Sequence, residues 1–221
     1  AAPIVVVPKK SGTVRICADF KTGLNEALEM HQHPLPTPDE IFSKLNQGAW
    51  FTQVDFADAY LQLEMDESSK ELVTINTPKG LYQYQRLPFG VKSAPGIFQE
   101  TMDNLTSGLK GCAAYLDDVI VTGTTLEEHN MNVFELFKRI SDFGFRVKMD
   151  KCSFAKKEIK FLGHIINKEG RKPDPENISV IVPPPKDRKQ LKSFLGMVSY
   201  YSAFVPKMRQ MRGQLEKKKK K

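Results

Sequence analysis

AAYLDDVIVTG, residues Ala113 to Gly123, sets two acids side by side between two apolar runs. Each run has the length and β-branched content of a buried strand. A carboxylate taken out of water without a partner is costly, and two neighbours also repel each other. A tight acidic hairpin turn satisfies these constraints, because Asp tolerates turn geometry. So does a pair of carboxylates held ready for a cation. The stretch alone leaves both readings open.

A third acid lies outside it. Asp55 ends the apolar run WFTQVDF, and if that strand pairs with the hairpin that carries Asp117 and Asp118 at its bend, three carboxylates converge although 62 residues separate Asp55 from Asp117. Two carboxylates about 4 Å apart repel by roughly 4 kcal/mol at an effective dielectric near 20. A divalent cation reverses that sign, and hard oxygen donors select Mg²⁺ or Mn²⁺. Two such ions about 3.5–4 Å apart form the clamp used for in-line phosphoryl transfer.

The surrounding segments alternate between strand and helix patterns. PIVVVP and TVRICAD flank the polar turn KKSG as a hairpin. After HPLPTPDE begins, Thr37 and Pro38 open a helix burying Ile41, Phe42 and Leu45. YLQLEM alternates Leu61, Leu63 and Met65 inward as a strand, and VTINT and LYQYQR form a hairpin around PKG. Ser93 or Ala94 with Pro95 starts a helix carrying Phe98, Met102, Leu105 and Leu109 on one face. Thr125 and Glu128 make a capping box for a helix burying Leu126, His129, Val133, Leu136 or Phe137, and Ile140, which Gly144 stops. FRVK and IKFLGHII read as short strands, with NKEG as a turn. Asp174 and Pro175 start a short helix, PPP breaks it, and Asp187 with Gln190 caps a last helix burying Leu191, Phe194, Leu195, Val198 and Tyr201. Interleaved hairpins and helices without repeats give an α/β or α+β class with a mixed or antiparallel sheet.

Composition narrows the function classes. The chain has 221 residues, 40% hydrophobic and 27% charged, enough for a sizeable core. Five of its seven net positive charges belong to Lys217–Lys221, leaving +2 on the first 216 residues, which neither demands nor excludes a polyanionic partner. Cys17, Cys112 and Cys152 are odd in number and far apart, which argues against a disulfide framework and for a reducing cytosolic or nuclear setting. His31 and His33 have no second ligand pair nearby in sequence and are not read as metal ligands. No apolar run approaches the roughly 20 residues of a membrane helix. The opening AAPIVVVPKK, without Met, reads as a segment of something longer.

VDFADAY, LPFGVKSAPGIFQ, YLDDVIV and FLGHII occur in this order. Together they resemble the successive motifs of a reverse transcriptase of the gypsy-type long-terminal-repeat retrotransposon branch, close to retroviruses. VPKKSGTVRICADFKTGLN, HQHPLPTPDEIFSKLN, EEHNMNVFELFKRISDFGFRVKMDKCSF and LKSFLGMVSYYSAFVPKM resemble that branch as well, so the likeness runs from about residue 3 to 208. It implies an α+β right-hand polymerase: partial fingers (1–30 and 63–93), a ferredoxin-like palm with a mixed or antiparallel sheet (31–62 and 94–170), and a truncated thumb starting at 171–216, followed by a lysine tail at 217–221.

The resemblance also implies roles. Asp55 and Asp117 match the carboxylates that hold two Mg²⁺ ions, with Mn²⁺ as the alternative. Asp118 matches the third acid of the set, and Phe56 the position whose backbone carbonyl completes a metal shell. Asp58, Ala59 and Tyr60 match the turn that meets the incoming triphosphate. The Tyr60 ring beneath the sugar would clash with a 2′-hydroxyl, giving DNA rather than RNA as product. Taken alone, Tyr60 is equally an aromatic packed into a sheet. Lys10, or the neighbouring Lys9, and Arg15 match the basic pair on the triphosphate. Phe89 and Gly90 match the block against sugar and base, and phenylalanine at 89 is the gypsy-type residue where retroviruses carry glutamine. Tyr115 and Leu116 match residues beside the primer terminus, and Phe161, Leu162 and Gly163 a hairpin gripping the primer.

The stretch between DPENISVI and PPP departs from the family by being about two residues short, which bears on the thumb. The implied function is RNA-directed DNA polymerase, with an RNA or DNA template, a primer and dNTPs as partners and no membrane. Protein partners would be a second copy or other parts of a pol polyprotein, in the cytoplasm within a virus-like particle or in the nucleus. The alternative is a catalytically inactive or co-opted retroelement remnant that keeps the fold and binds nucleic acid.

Overall fold

The computed structural model describes residues 1–8, 12–21, 23–179 and 185–204. Lys9, Lys10, Pro183, Pro184 and the tail Lys217–Lys221 lie outside them. In chain order the elements are β1 (Ala2–Pro8), β2 (Val14–Ala18), α1 (Leu24–Ala27), α2 (Pro38–Lys44), β3 (Trp50–Asp55), α3 (Glu67–Lys70), β4 (Thr74–Thr77), β5 (Gly80–Gln83), α4 (Ala94–Thr106), β6 (Cys112–Tyr115), β7 (Asp118–Gly123) and α5 (Leu126–Asp142). These are followed by β8 (Ser153–Lys156), β9 (Glu158–Phe161), β10 (His164–Asn167), β11 (Gly170–Pro173), α6 (Pro175–Ser179) and α7 (Arg188–Tyr200). They form two compact units, 1–156 and 157–221. Among the described residues no helix is long and apolar enough to cross a membrane.

The first unit holds two sheets. One is antiparallel with strand order β6-β7-β3-β8. Its chain path β3–α4–β6–β7–α5–β8 is a β-α-β-β-α-β ferredoxin-like weave. The helices α4 and α5 bury Phe98, Met102, Leu105, Leu136 and Ile140 against Val54, Ala114, Val119 and Val121. A fully buried side chain such as Phe98 contributes about 1.5–3 kcal/mol. The other sheet, β2-β1-β4-β5, is mixed, because β1 runs parallel to β4 while its other neighbours are antiparallel. Ala18, Phe20, Val73, Ile75, Leu87, Val91 and Ala94 form its core, and Tyr60 and Leu63 pack against both cores.

Local signals explain most element ends. Thr37 accepts the Glu40 amide while Glu40 accepts the Thr37 amide, completing a capping box. Thr125 caps α5 through the Glu128 amide, but the Glu128 carboxylate turns to Thr124 instead of closing the box on Thr125. Three strand expectations change. YLQLEM is not a strand: Asp58 adopts φ 51° and opens a 3₁₀ turn over Ala59–Gln62, which puts Tyr60 and Leu63 on the core three residues apart. FRVK contributes one isolated bridge, Val147 to Phe56, and no strand. IKFLGHII folds back at Leu162–Gly163 into β9 and β10.

The second unit, within its described residues, is the antiparallel sheet β11-β10-β9 with α6 and α7. Its tight turn has positive φ at both Leu162 (45°) and Gly163 (73°). The Tyr200 hydroxyl donates to the Leu162 carbonyl at 2.6 Å and the Tyr201 hydroxyl to the Gly163 carbonyl at 2.9 Å, so α7 fixes the turn.

Candidate active site

The register of β3 on β7 places Asp55 opposite Asp118, and β6 adds Tyr115 opposite Asp118. Three strands thus end in one row. Leu116 and Asp117 form the two-residue turn joining β6 to β7, and the Phe56 amide reaches across to the Asp117 carbonyl at 3.3 Å. The sheet itself therefore gathers acids that are far apart in sequence. Leu116 has φ 53°, a left-handed conformation that costs a non-glycine residue about 1–2 kcal/mol. A buried glutamine on α4 holds it there. Gln99 accepts the Leu116 amide at 2.7 Å and donates to the Ala114 carbonyl at 3.2 Å, bracketing the turn.

The three carboxylates differ in surroundings. Asp117 is exposed at the tip of the turn. Asp55 Oδ2 lies 3.7 Å from Lys151 Nζ. Asp118 accepts from Gln53 Nε2 at 3.2 Å. Burial raises the Asp118 pKa above the usual 3.8, with Asp117 and Asp55 pushing the same way against the Gln53 hydrogen bond and Lys151. Among the described residues no three His, Cys, Asp or Glu side chains stand close enough to enclose a metal ion. The donors nonetheless suit Mg²⁺ or Mn²⁺ in kind: adjacent hard anionic oxygens, one exposed and two with weak neutral or cationic partners. Lys151 and Gln53 carry no sequence signal for this role, since each is recognisable only once the register is known.

A stability consequence follows from Asp118. Below about pH 3.8 it is protonated both folded and unfolded and costs nothing. As pH rises through its raised folded value, the ionised side chain opposes folding. Asp118→Asn is therefore expected to raise the Tm of metal-free protein at about pH 7 and leave it unchanged near pH 3. Thermal melts at both pH values test this, and an equal change at each would assign the effect to packing.

Beside the acids stands an aromatic column. The Arg15 guanidinium lies 4.9 Å from the Phe89 ring centroid, and Phe89 lies 4.9 Å from Tyr60, centroid to centroid. Tyr60 in turn meets the Phe98 ring edge-on at 5.2 Å. Burial raises the Tyr60 pKa, with smaller contributions from Asp117 and Tyr115 that mark their proximity. Gly90 has φ 97°, and Asn25 clamps this loop by donating to the Gly90 carbonyl at 2.9 Å and accepting the Lys92 amide at 2.8 Å. Asp58 is exposed at the start of the 3₁₀ turn, whereas Ala59 and the Phe56 ring are buried in the core. Asp55, Asp117, Asp118, Tyr60, Phe89, Arg15 and Tyr115 are thus neighbours in the first unit. Phe161, Leu162 and Gly163 belong to the second unit, where Phe161 is buried and Leu162–Gly163 form the turn held by α7.

The fold resembles a foamy viral protease–reverse transcriptase solved with double-stranded DNA, at TM-score 0.89 and 23% identity over 98% of this chain and 38% of that one. Another structure of the foamy viral enzyme, with an RNA/DNA hybrid, matches at TM-score 0.77 and 23% identity, covering 90% of this chain and 27% of that chain. In sequence, the chain is 47% identical to an uncharacterized Caenorhabditis elegans protein, over 93% of this chain and 16% of that protein. It is 39% identical to the retrovirus-related Pol polyprotein from transposon 297 of Drosophila melanogaster, over 93% of this chain and 20% of that polyprotein. It is 30% identical to the transposon Tf2-3 polyprotein of Schizosaccharomyces pombe, over 96% of this chain and 16% of the polyprotein. The chain therefore spans a fifth or less of the length of these curated relatives. Residues 7–166 match the family model for reverse transcriptase (RNA-dependent DNA polymerase), and the chain, an α+β polymerase fold, belongs to that family.

Proposed function

We propose that this chain extends a primer on an RNA or DNA template with dNTPs, as the polymerase segment of a gypsy-type pol polyprotein. The observation that carries this reading is the strand register that sets Asp55 against Asp118 with Asp117 on the adjoining turn, beside the Arg15–Phe89–Tyr60 column. Asp55, Asp117 and Asp118, with the Phe56 carbonyl, would hold Mg²⁺ or Mn²⁺. When bound, the ions supply charge neutralisation for attack of the primer 3′-hydroxyl on the α-phosphate, with pyrophosphate leaving.

The protein's own groups do the rest. Lys151 neutralises Asp55 before a cation arrives, which limits repulsion among the acids. Arg15, with Lys10, contributes positive charge for the triphosphate, and the Phe89 face holds the guanidinium in place. Tyr60 is wedged between two cores and Phe89, so its ring has little freedom to yield to a 2′-hydroxyl. Tyr115 and Leu116 sit at the turn beside Asp117, where the primer terminus would lie, and Leu162–Gly163 is assigned to the primer backbone. Duplex binding through phosphates should be salt-sensitive and nearly independent of sequence.

Extension of a DNA primer on an RNA template with Mg²⁺ tests the reading. Wild-type protein should make DNA product. Retained duplex binding without extension would overturn polymerase function in favour of a co-opted fold. Tyr60→Val should raise ribonucleotide incorporation relative to deoxyribonucleotide by about 10- to 200-fold, the range for relieving one steric exclusion. Competition assays with paired nucleotides measure the ratio, and an unchanged ratio would remove Tyr60 from sugar selection.

A further inference from the structure

His31 and His33, which have no partners nearby in sequence, find them on α4. The connector ahead of α2 lies directly on that helix: a Cβ built on Gly96 would stand 3.3 Å from the His31 carbonyl and 3.5 Å from the His33 carbonyl. From this seat His31 Nε2 meets Glu100 at 2.8 Å, and His33 Nε2 meets Asp103 Oδ2 at 2.7 Å. The second contact continues inward. Asp103 Oδ1 accepts from Gln99 Nε2 at 3.0 Å, and Gln99 is the side chain that holds the Leu116 amide.

The donors and acceptors along this line fit in one sense only. An ionised carboxylate has no proton to give, so His33 Nε2 and Gln99 Nε2 both donate to Asp103. Gln99 then spends one amide proton on Asp103 and the other on the Ala114 carbonyl, and its oxygen accepts from Leu116. Flipping the amide would set its oxygen against a carboxylate and a carbonyl, and its NH₂ against an N–H. Asp103, together with the Ala114 carbonyl, thus holds the Gln99 orientation that keeps Leu116 in its left-handed conformation.

We propose that His33 and Asp103 are positioning residues for the Leu116–Asp117 turn, acting through Gln99, so that a connector 83 residues earlier in the chain sets the placement of Asp117. The functional consequence rests on the polymerase reading above; the hydrogen-bond relay does not. His33→Phe keeps a ring but removes the donor. Asp103→Leu removes both acceptors at similar volume. Asp103→Asn can still accept from Gln99 with its oxygen while its NH₂ donates to the other neutral tautomer of His33.

Two readouts separate the relay from simple loss of structure. Hydrogen exchange at the Leu116 amide should quicken about tenfold in His33→Phe and Asp103→Leu and stay within about twofold of wild type in Asp103→Asn, with the buried Leu136 amide unchanged in all three. In primer extension, His33→Phe should need more Mg²⁺ for half-maximal rate while its KM for primer–template stays unchanged. If wild-type protein does not extend primers, the polymerase reading fails and the Leu116 exchange rates still decide the relay. Leu116 exchange unchanged in His33→Phe would overturn the proposal, as would equal acceleration in Asp103→Asn and Asp103→Leu. Should Asp103→Leu fail to fold, His33→Phe and Asp103→Asn carry the test.

Discussion

Asp117→Asn is expected to cut primer extension by roughly 10²–10⁴-fold while leaving the fold intact. The size follows from the several kcal/mol of transition-state charge stabilisation that a metal site provides, at about 1.4 kcal/mol per factor of ten. The selectivity follows from position. Asp117 is exposed at the tip of a two-residue turn, so an isosteric amide should change stability by no more than about 0.5 kcal/mol. Duplex affinity should likewise hold, because phosphate contacts rather than the acids bind the backbone. A readout independent of activity is available at Tyr60. Its pKa is raised first by burial and next by Asp117, so removing that charge should lower it, which ultraviolet titration would detect. Single-turnover extension and a thermal melt on the same preparation complete the measurement. Extension within tenfold of wild type, with Tyr60 shifted as expected, would take Asp117 out of the metal set without questioning the site's geometry.

Asp117 and Asp118 also mark what could be read from the chain. The apolar runs on either side of them announce two buried strands, and Asp55 ends a third whose pairing with that hairpin the register supplies, through β7. Caps at Thr37, Thr125 and Asp187 are local and were legible for the same reason: donor and acceptor lie within three residues. YLQLEM misleads because its alternation is too short to exclude a 3₁₀ turn of period three, which the left-handed Asp58 begins and which carries Tyr60 and Leu63 to the core. Leu116 and Leu162 likewise adopt conformations that their residue type does not advertise. The partners of the acids were illegible for a different reason. Lys151 reaches Asp55, Gln53 reaches Asp118, and Gln99 links Leu116 to Asp103 across distances in sequence that no periodicity encodes. Such contacts are properties of the closed sheet. The resemblance to polymerase motifs supplied the acids and the aromatic column, but not the side chains that hold the turn in place.

Gly123→Ala should be the most damaging of the small substitutions. Gly123 ends β7 opposite Trp50, where the chain turns into the cap of α5. A Cβ there would lie 2.4 Å from the His129 amide nitrogen and 2.6 Å from its Cα. Both are backbone atoms, so no rotamer change can make room; α5 must move off the sheet. That movement strains the buried bond between His129 Nε2 and Thr52 Oγ1, 2.9 Å long, and the seats of Leu136 and Ile140. His129 Nδ1 faces the Asn130 Oδ1 acceptor at 3.1 Å, so the neutral ring carries its proton there and Nε2 accepts from the Thr52 hydroxyl, whose oxygen also accepts the Ala155 amide at 3.2 Å. Overpacking costs about 1–3 kcal/mol and an unsatisfied buried group about the same again. A loss of about 3 kcal/mol would lower Tm by roughly 6–12 °C for a chain of this size. Gly196→Ala is the matched control: an added methyl meets open space on α7, and exchanging helical glycine for alanine should stabilise by about 0.5–1 kcal/mol. If the Gly123 variant melts within 2 °C of wild type, about the shift for 1 kcal/mol or less, the close approach of α5 to β7 is not a constraint on this fold. A large loss with Gly196→Ala unharmed would tie the rigidity of the strand carrying Asp118 to this close approach of the α5 backbone to Gly123.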